Sequence, residues 1–211
     1  MRSLTPWRRL APPLLTTLAH ATHFNPAPPP RSASWEVLKA YASEPMGFSD
    51  DASLFSRAPS AQRFYDDYKA WCASRGLSTA DDVKQSVEWV QPGSCSHRVC
   101  LEPNWAPYLL ENDIEHWVLW HDPDAVPGDT ELDPEAEKEV LKALLDEAFP
   151  DESCLVVFQN LPSRRSLQAI AHSHVFFRVM DEGTELACAL SALRVRWEQR
   201  TRNRRKGIDH R

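Results

Sequence analysis

Two histidines one residue apart, His172 and His174, lie inside the apolar run IAHSHVFFRV (170–179) of a chain that has only 8 histidines. Side chains on a strand alternate between its two faces, so the pair points the same way. One face then carries Ala171, Ser173, Val175, Phe177 and Val179, and the other carries His172, His174, Phe176 and Arg178. With the first face turned to the core, the histidine face is left open for chemistry. Imidazoles suit acid–base and nucleophilic work near neutral pH. Three permanent cations stand near the pair in sequence, Arg164, Arg165 and Arg178, and guanidinium forks match phosphate oxygens. An anionic, phosphate-bearing ligand is the chemistry this grouping points to. The competing expectation is that two imidazoles merely decorate a strand.

A second grouping is CSHRVC, with Cys95, His97 and Cys100, followed by His116 and His121. Thiolate and imidazole donors at such spacing can supply three zinc ligands, but a structural zinc site closes with four and C-x-H-x-x-C is a loose pattern. The expectation is therefore no metal and no cofactor, with these residues in a loop after Gly93.

The elements that must position these groups follow from periodicity. Ser34 caps a short helix through WEVLKAYA, with Trp35 and Leu38 on one side. Ser60 opens a second helix carrying Phe64, Tyr68, Trp71 and Cys72, ending at Gly76. Thr79 with Asp82 opens a third, with Val83, Val87 and Val90 as its stripe before Pro92 and Gly93. Residues 34–91 thus form a helical front. The period then changes: DIEHWVLWHDP alternates and reads as a strand. Asp133 caps a helix with Pro134 in its first turn and Val140, Leu141, Leu144 and Leu145 as its apolar stripe. CLVVFQN is a second strand, the H-x-H run a third, and LACALSALRVRW is either a last helix or a strand followed by a frayed helix. The connection LPSRRS is too short for a parallel crossover, so the last two strands pair antiparallel, with the H-x-H strand central.

Composition sets the bounds. A chain of 211 residues with 42% hydrophobic residues and 17 Pro against 6 Gly is long enough for one loop-rich domain. The formal charge of −6 is unevenly spread: residues 1–31 carry +4 and residues 194–211 carry +6, which leaves −16 between them. A core that acidic is not a nucleic-acid reader. Five cysteines, an odd number, do not form a disulfide framework and read as reduced thiols. No apolar run reaches the ~20 residues that span a bilayer, so no transmembrane segment is expected. Residues 1–33, rich in Arg and Pro and free of acids, are a disordered leader or a transit peptide. The domain then runs over 34–198, and 199–211 is a basic disordered tail. The location is cytoplasmic, or mitochondrial where the leader is a transit peptide.

Strand, helix, strand, loop and H-x-H strand, in that order, resemble the histidine-triad (HIT) superfamily of nucleotide hydrolases and transferases over residues 108–180. The match lies in FQNLPSRRSLQAIAHSHVFF: Asn160 closes a strand, Gln168 stands four residues ahead of His172, and His174 falls at the position of that family's nucleophilic middle histidine. Phe176 stands where the third triad position has His or Gln, and Leu161 to Arg165 replace the glycine-rich phosphate loop. A longer stretch, from about Ser53 to Met180, is similar to the fungal N-acetylglucosamine-induced protein family, whose shared domain has no assigned biochemistry. There NWAPY (104–108) stands for the family's Asn-Asp-Trp-Pro-Tyr.

These resemblances imply an α+β fold: a HIT-like antiparallel sheet with a long crossover helix (104–198) behind the helical front. They imply a domain that binds, and hydrolyses or transfers, a phosphorylated metabolite such as a nucleotide or sugar nucleotide. His174 would attack phosphorus while His172 holds it in place, with Asn160, Arg164, Arg165, Gln168 and Arg178 binding the substrate. A phosphorylated small molecule is the expected partner, and a homodimer is the assembly considered. The alternative is a non-catalytic adaptor or regulatory protein of the amino-sugar response, in which the H-x-H strand is structural.

Overall fold

The computed structural model describes residues 32–44, 55–93 and 95–208, with side chains through position 201. Of the leader assigned to 1–33, residues 1–31 lie outside the described residues, as does the acidic stretch SDDAS (49–53).

Three helices come first: α1 (Trp35–Ser43), α2 (Pro59–Ser74) and α3 (Thr79–Ser86). Ser34 caps α1 by accepting from the Val37 N–H. Helix α2 starts earlier than expected: Ala58, not Ser60, is its cap, and Pro59 supplies a preset φ where no N–H is needed. Ser78 and Asp81 form a reciprocal capping box at α3, which stops at Ser86. Val87 is already extended, and Val90 exchanges backbone hydrogen bonds with Val99 instead of continuing the helix.

The sheet has four antiparallel strands, β1 (Val99–Pro103), β2 (Ile114–His121), β3 (Leu155–Phe158) and β4 (His172–Arg178), in the order β1-β2-β4-β3. The H-x-H strand is central, as its short connection to β3 demands. Between β2 and β3, α4 (Pro134–Leu145), capped by Asp133, crosses over β4. Strand β1 was not expected, because CSHRVC reads as a loop until its partner Trp117–His121 is known. The last element is a helix, α5 (Glu185–Ile208). It passes through position 199, where the sequence suggested a tail begins, and Arg200 bridges Glu88 and Glu102. Ala33, assigned to the leader, is buried and exchanges backbone hydrogen bonds with Leu109 and Glu111. It therefore belongs to the domain.

The sheet is covered on both sides. Val99, Leu101, Trp117, Leu119, Leu155, Val157, Val175 and Phe177 pack with Leu141 and Leu145 of α4 and Leu186 and Leu190 of α5. On the other face, Phe158, Phe176, Val156 and Ile114 pack with Trp35, Leu38 and Tyr41 of α1 and with Tyr108. Each such large side chain contributes about 1.5–3 kcal/mol when fully buried. The face expected to be open is thus closed by the helical front, through Trp35, Leu38 and Tyr41 of α1 and Val83 of α3.

Candidate functional site, a buried histidine network

His172 and His174 do share a face, and both are only 5% exposed. Strand register places His174 opposite Val118, one step from His116 opposite Phe176. His116 Nε2 lies 2.9 Å from His174 Nδ1. The Asn160 amide sits 2.8 Å from His174 Nε2 and 2.9 Å from the Tyr108 hydroxyl.

The Tyr108 backbone N–H points at His116 Nδ1 at 3.3 Å. Asn160 Nδ2 donates to the Tyr108 hydroxyl, so both nitrogens of His116 and both of His174 have polar partners inside the fold. Asn104 lies 3.1 Å from His116 Nε2, and its side-chain oxygen accepts from the Ala106 N–H, fixing the turn that carries Tyr108. The ring of Phe176 stacks on His116 at 4.3 Å. Phe176 therefore covers the network on that side.

Burial pushes the His116 and His174 imidazoles well below the ordinary histidine range, and the Arg57 guanidinium and neighbouring rings act in the same direction. No carboxylate is among the described partners of either ring. Both are neutral at pH 7. His172 is lowered as well, chiefly by burial, and its Nδ1–H donates to the Ile170 carbonyl at 2.8 Å.

The residues expected to bind substrate are dispersed. Asn160 joins the network, but Arg165 is turned to its own strand end, donating from Nε to the Asn160 carbonyl and from Nη2 to the Gln159 side chain. Arg164 lies beside the Tyr41 hydroxyl. Gln168 is exposed. Arg178, at the far end of β4, pairs with Asp113 at 2.8 Å. The three arginines do not surround one opening. The partners that sequence reasoning missed are Tyr108, Asn104 and, in this role, His116; the first two lie in the NWAPY stretch, where they were legible only as a family resemblance. An open groove of about 700 Å³ runs past Pro107 and Trp197 and touches the network at Asn104, Tyr108 and His116.

The residues weighed as zinc ligands separate as well. His116 belongs to this network and Cys100 to the apolar cluster on the same face, while Cys95, His97 and His121 gather at the end of β1 and β2. Among the described residues no group of three or more His, Cys, Asp or Glu is arranged to hold a metal ion. Nor, among them, is any helix long and apolar enough to cross a membrane.

No curated protein matches the chain. Among solved structures, the crystal structure of HTC1 is similar, with a TM-score of 0.49 at 21% identity over 76% of this chain and 97% of that one. The family model described as "Protein of unknown function (DUF3605)" matches residues 35–178. That span runs from the first residue of α1 to the last of β4 and takes in both the helical front and the buried network. The chain belongs to the DUF3605 family, a family of unknown function.

Proposed function

We propose that this domain is a non-catalytic binding or regulatory module, and that its H-x-H strand is a structural core and not a phosphate site. The observation that carries this reading is the closure of His174: the ring is 5% exposed, and both of its nitrogens have partners inside the fold. A nucleophile must reach its electrophile in line at contact distance, and Tyr108, Phe158 and Phe176 surround this one. The arginines that would hold a phosphate are engaged with their own chain. The resemblance to N-acetylglucosamine-induced proteins supports a role for such a module in the amino-sugar response. Titration with a panel of nucleotides, sugar nucleotides and sugar phosphates tests the reading, and no saturable binding is expected up to millimolar concentration. Binding that is weakened about tenfold or more in Arg165→Ala, as loss of a charge-assisted contact would give, would restore the phosphorylated-metabolite reading.

A further inference from the structure

A second chain of histidines lies on the opposite side of the sheet and is built differently. Glu137 of α4 and His121 at the end of β2 are both buried, with Glu137 Oε2 2.9 Å from His121 Nε2. His121 Nδ1 is 2.8 Å from Nε2 of the half-buried His97. His97 Nδ1 lies 3.3 Å from the Ser96 hydroxyl and 3.9 Å from Cys95 Sγ. A carboxylate can only accept, so the protons order themselves: His121 Nε2–H donates to Glu137, and His97 Nε2–H donates to His121 Nδ1. His97 Nδ1 is left as a base beside the thiol. Burial, followed by the neighbouring His121, holds His97 below the ordinary range, so the base is neutral at pH 7. The donor atoms run in a line, each ring nitrogen with its own partner, and do not converge on a point as metal ligands do.

We propose that Cys95 is a nucleophilic thiol toward soft carbon electrophiles, with His97 as its general base and His121 and Glu137 as positioning residues. Nucleophile, base and orienting acid in sequence are the pattern that activates a weak nucleophile. The thiol is also held in place: the Cys95 N–H donates to the Pro92 carbonyl at 2.9 Å, and its own carbonyl accepts from Gln91 Nε2 at 2.9 Å. His97 Nδ1 takes the thiol proton as Sγ bonds to carbon, and the leaving group departs with its electron pair. The charge on His97 is shared through His121 and offset by Glu137. The proton then passes to solvent at the exposed side of His97. A regulatory module with such a thiol has a site for covalent modification that the H-x-H network does not provide.

The other four cysteines are internal comparators. Cys72 and Cys100 are buried, Cys154 is half-buried and Cys188 is exposed on α5. Limiting iodoacetamide added to the full chain, with peptide mass spectrometry over time, reads each rate separately. Thioether, iodide and one proton are the products. Cys95 is expected to react at least about tenfold faster than the more exposed Cys188 at pH 7, in line with general-base assistance. Its rate should stay nearly flat between pH 8 and 7, whereas an unassisted thiol slows about tenfold per unit below its titration. His97→Gln keeps a donor for His121 but removes the base, and should bring Cys95 down to the Cys188 rate. Glu137→Gln should lower the Cys95 rate several-fold and steepen its pH profile without changing Cys188. The proposal fails if Cys188 reacts as fast as Cys95 in the wild type, or if His97→Gln leaves Cys95 unchanged. Stoichiometric metal that shields Cys95 until a chelator is added would also overturn it. Should Glu137→Gln not fold, the His97→Gln comparison decides alone.

Discussion

The two histidine chains use the same side chain for opposite purposes. His116 and His174 are closed at both ends by neutral groups, a backbone N–H and an amide, and are buried under Tyr108 and Phe176. His97 and His121 begin at a buried carboxylate and end beside a half-buried thiol. Closure at both ends makes a neutral network that specifies which residues meet in the core. An acid at one end and an accessible nucleophile at the other give a direction along which a proton can move. What decides between structure and chemistry is therefore the terminus of the hydrogen-bond chain, not the number of histidines in it.

The comparison breaks most visibly through stability. His174→Ala leaves a cavity and takes partners from His116 and Asn160, and should cost about 3 kcal/mol; urea unfolding measures it. A loss under about 1 kcal/mol would mean that the network is not structural. A smaller effect is expected from the backbone that leads into β4. Gly128 packs so closely on residues 168–170 that a Cβ there would lie 2.2 Å from the Gln168 carbonyl oxygen. Gly128→Ala should cost about 1–3 kcal/mol, seen as a lowered Tm, while leaving alkylation at Cys95 unchanged.

Acid should separate the two chains further. His116 and His174 have folded values well below 6.5, against about 6.5 in the unfolded chain. Below pH 6.5 the unfolded chain binds more protons, so the stabilising contribution is complete above that pH and is lost as pH falls toward the folded values. The slope is about 1.4 kcal/mol per pH unit for each proton of difference. Urea unfolding from pH 8 to pH 5 should show this fall, and His174→Phe should make it shallower by about one proton. The smallest effect is expected at the second chain, where His97→Gln should change stability by about 1 kcal/mol or less, read from the same urea curves, while abolishing the rate advantage of Cys95. A large loss of stability there would make that chain structural too.

Local order was legible where a single segment decides it. Ser34, Asp133 and Pro134 mark helix starts by chemistry that needs no tertiary partner, and the period-two spacing correctly put His172, His174 and Phe176 on one face. The closure of that face was not legible, because it depends on where Trp35, Leu38 and Tyr41 dock more than 100 residues away. Nor was the pairing of His121 with Glu137, in which a strand end meets a helix 16 residues on. A signal did exist: β2 and β4 read as nearly unbroken apolar runs around their histidines, which marks strands buried on both sides.

The Arg200 bridge has a consequence for association. Strand β1 ends the sheet, and Val99 spends its outward backbone groups on Val90. By the two-residue alternation, Leu101 and Pro103 are the next to face outward, and Pro103 has no N–H to offer. Only Leu101 presents a full donor and acceptor pair, and Leu193, Arg196 and Arg200 of α5 stand around it. Arg200 clasps Glu102 of that strand at 2.6 Å and Glu88 at 2.5 Å, holding the helix over the gap. An unguarded edge of this kind is a template for a strand from another molecule. A chain cut before Arg200 loses the clasp and acquires a sticky margin at Leu101, where intermolecular strand addition can begin.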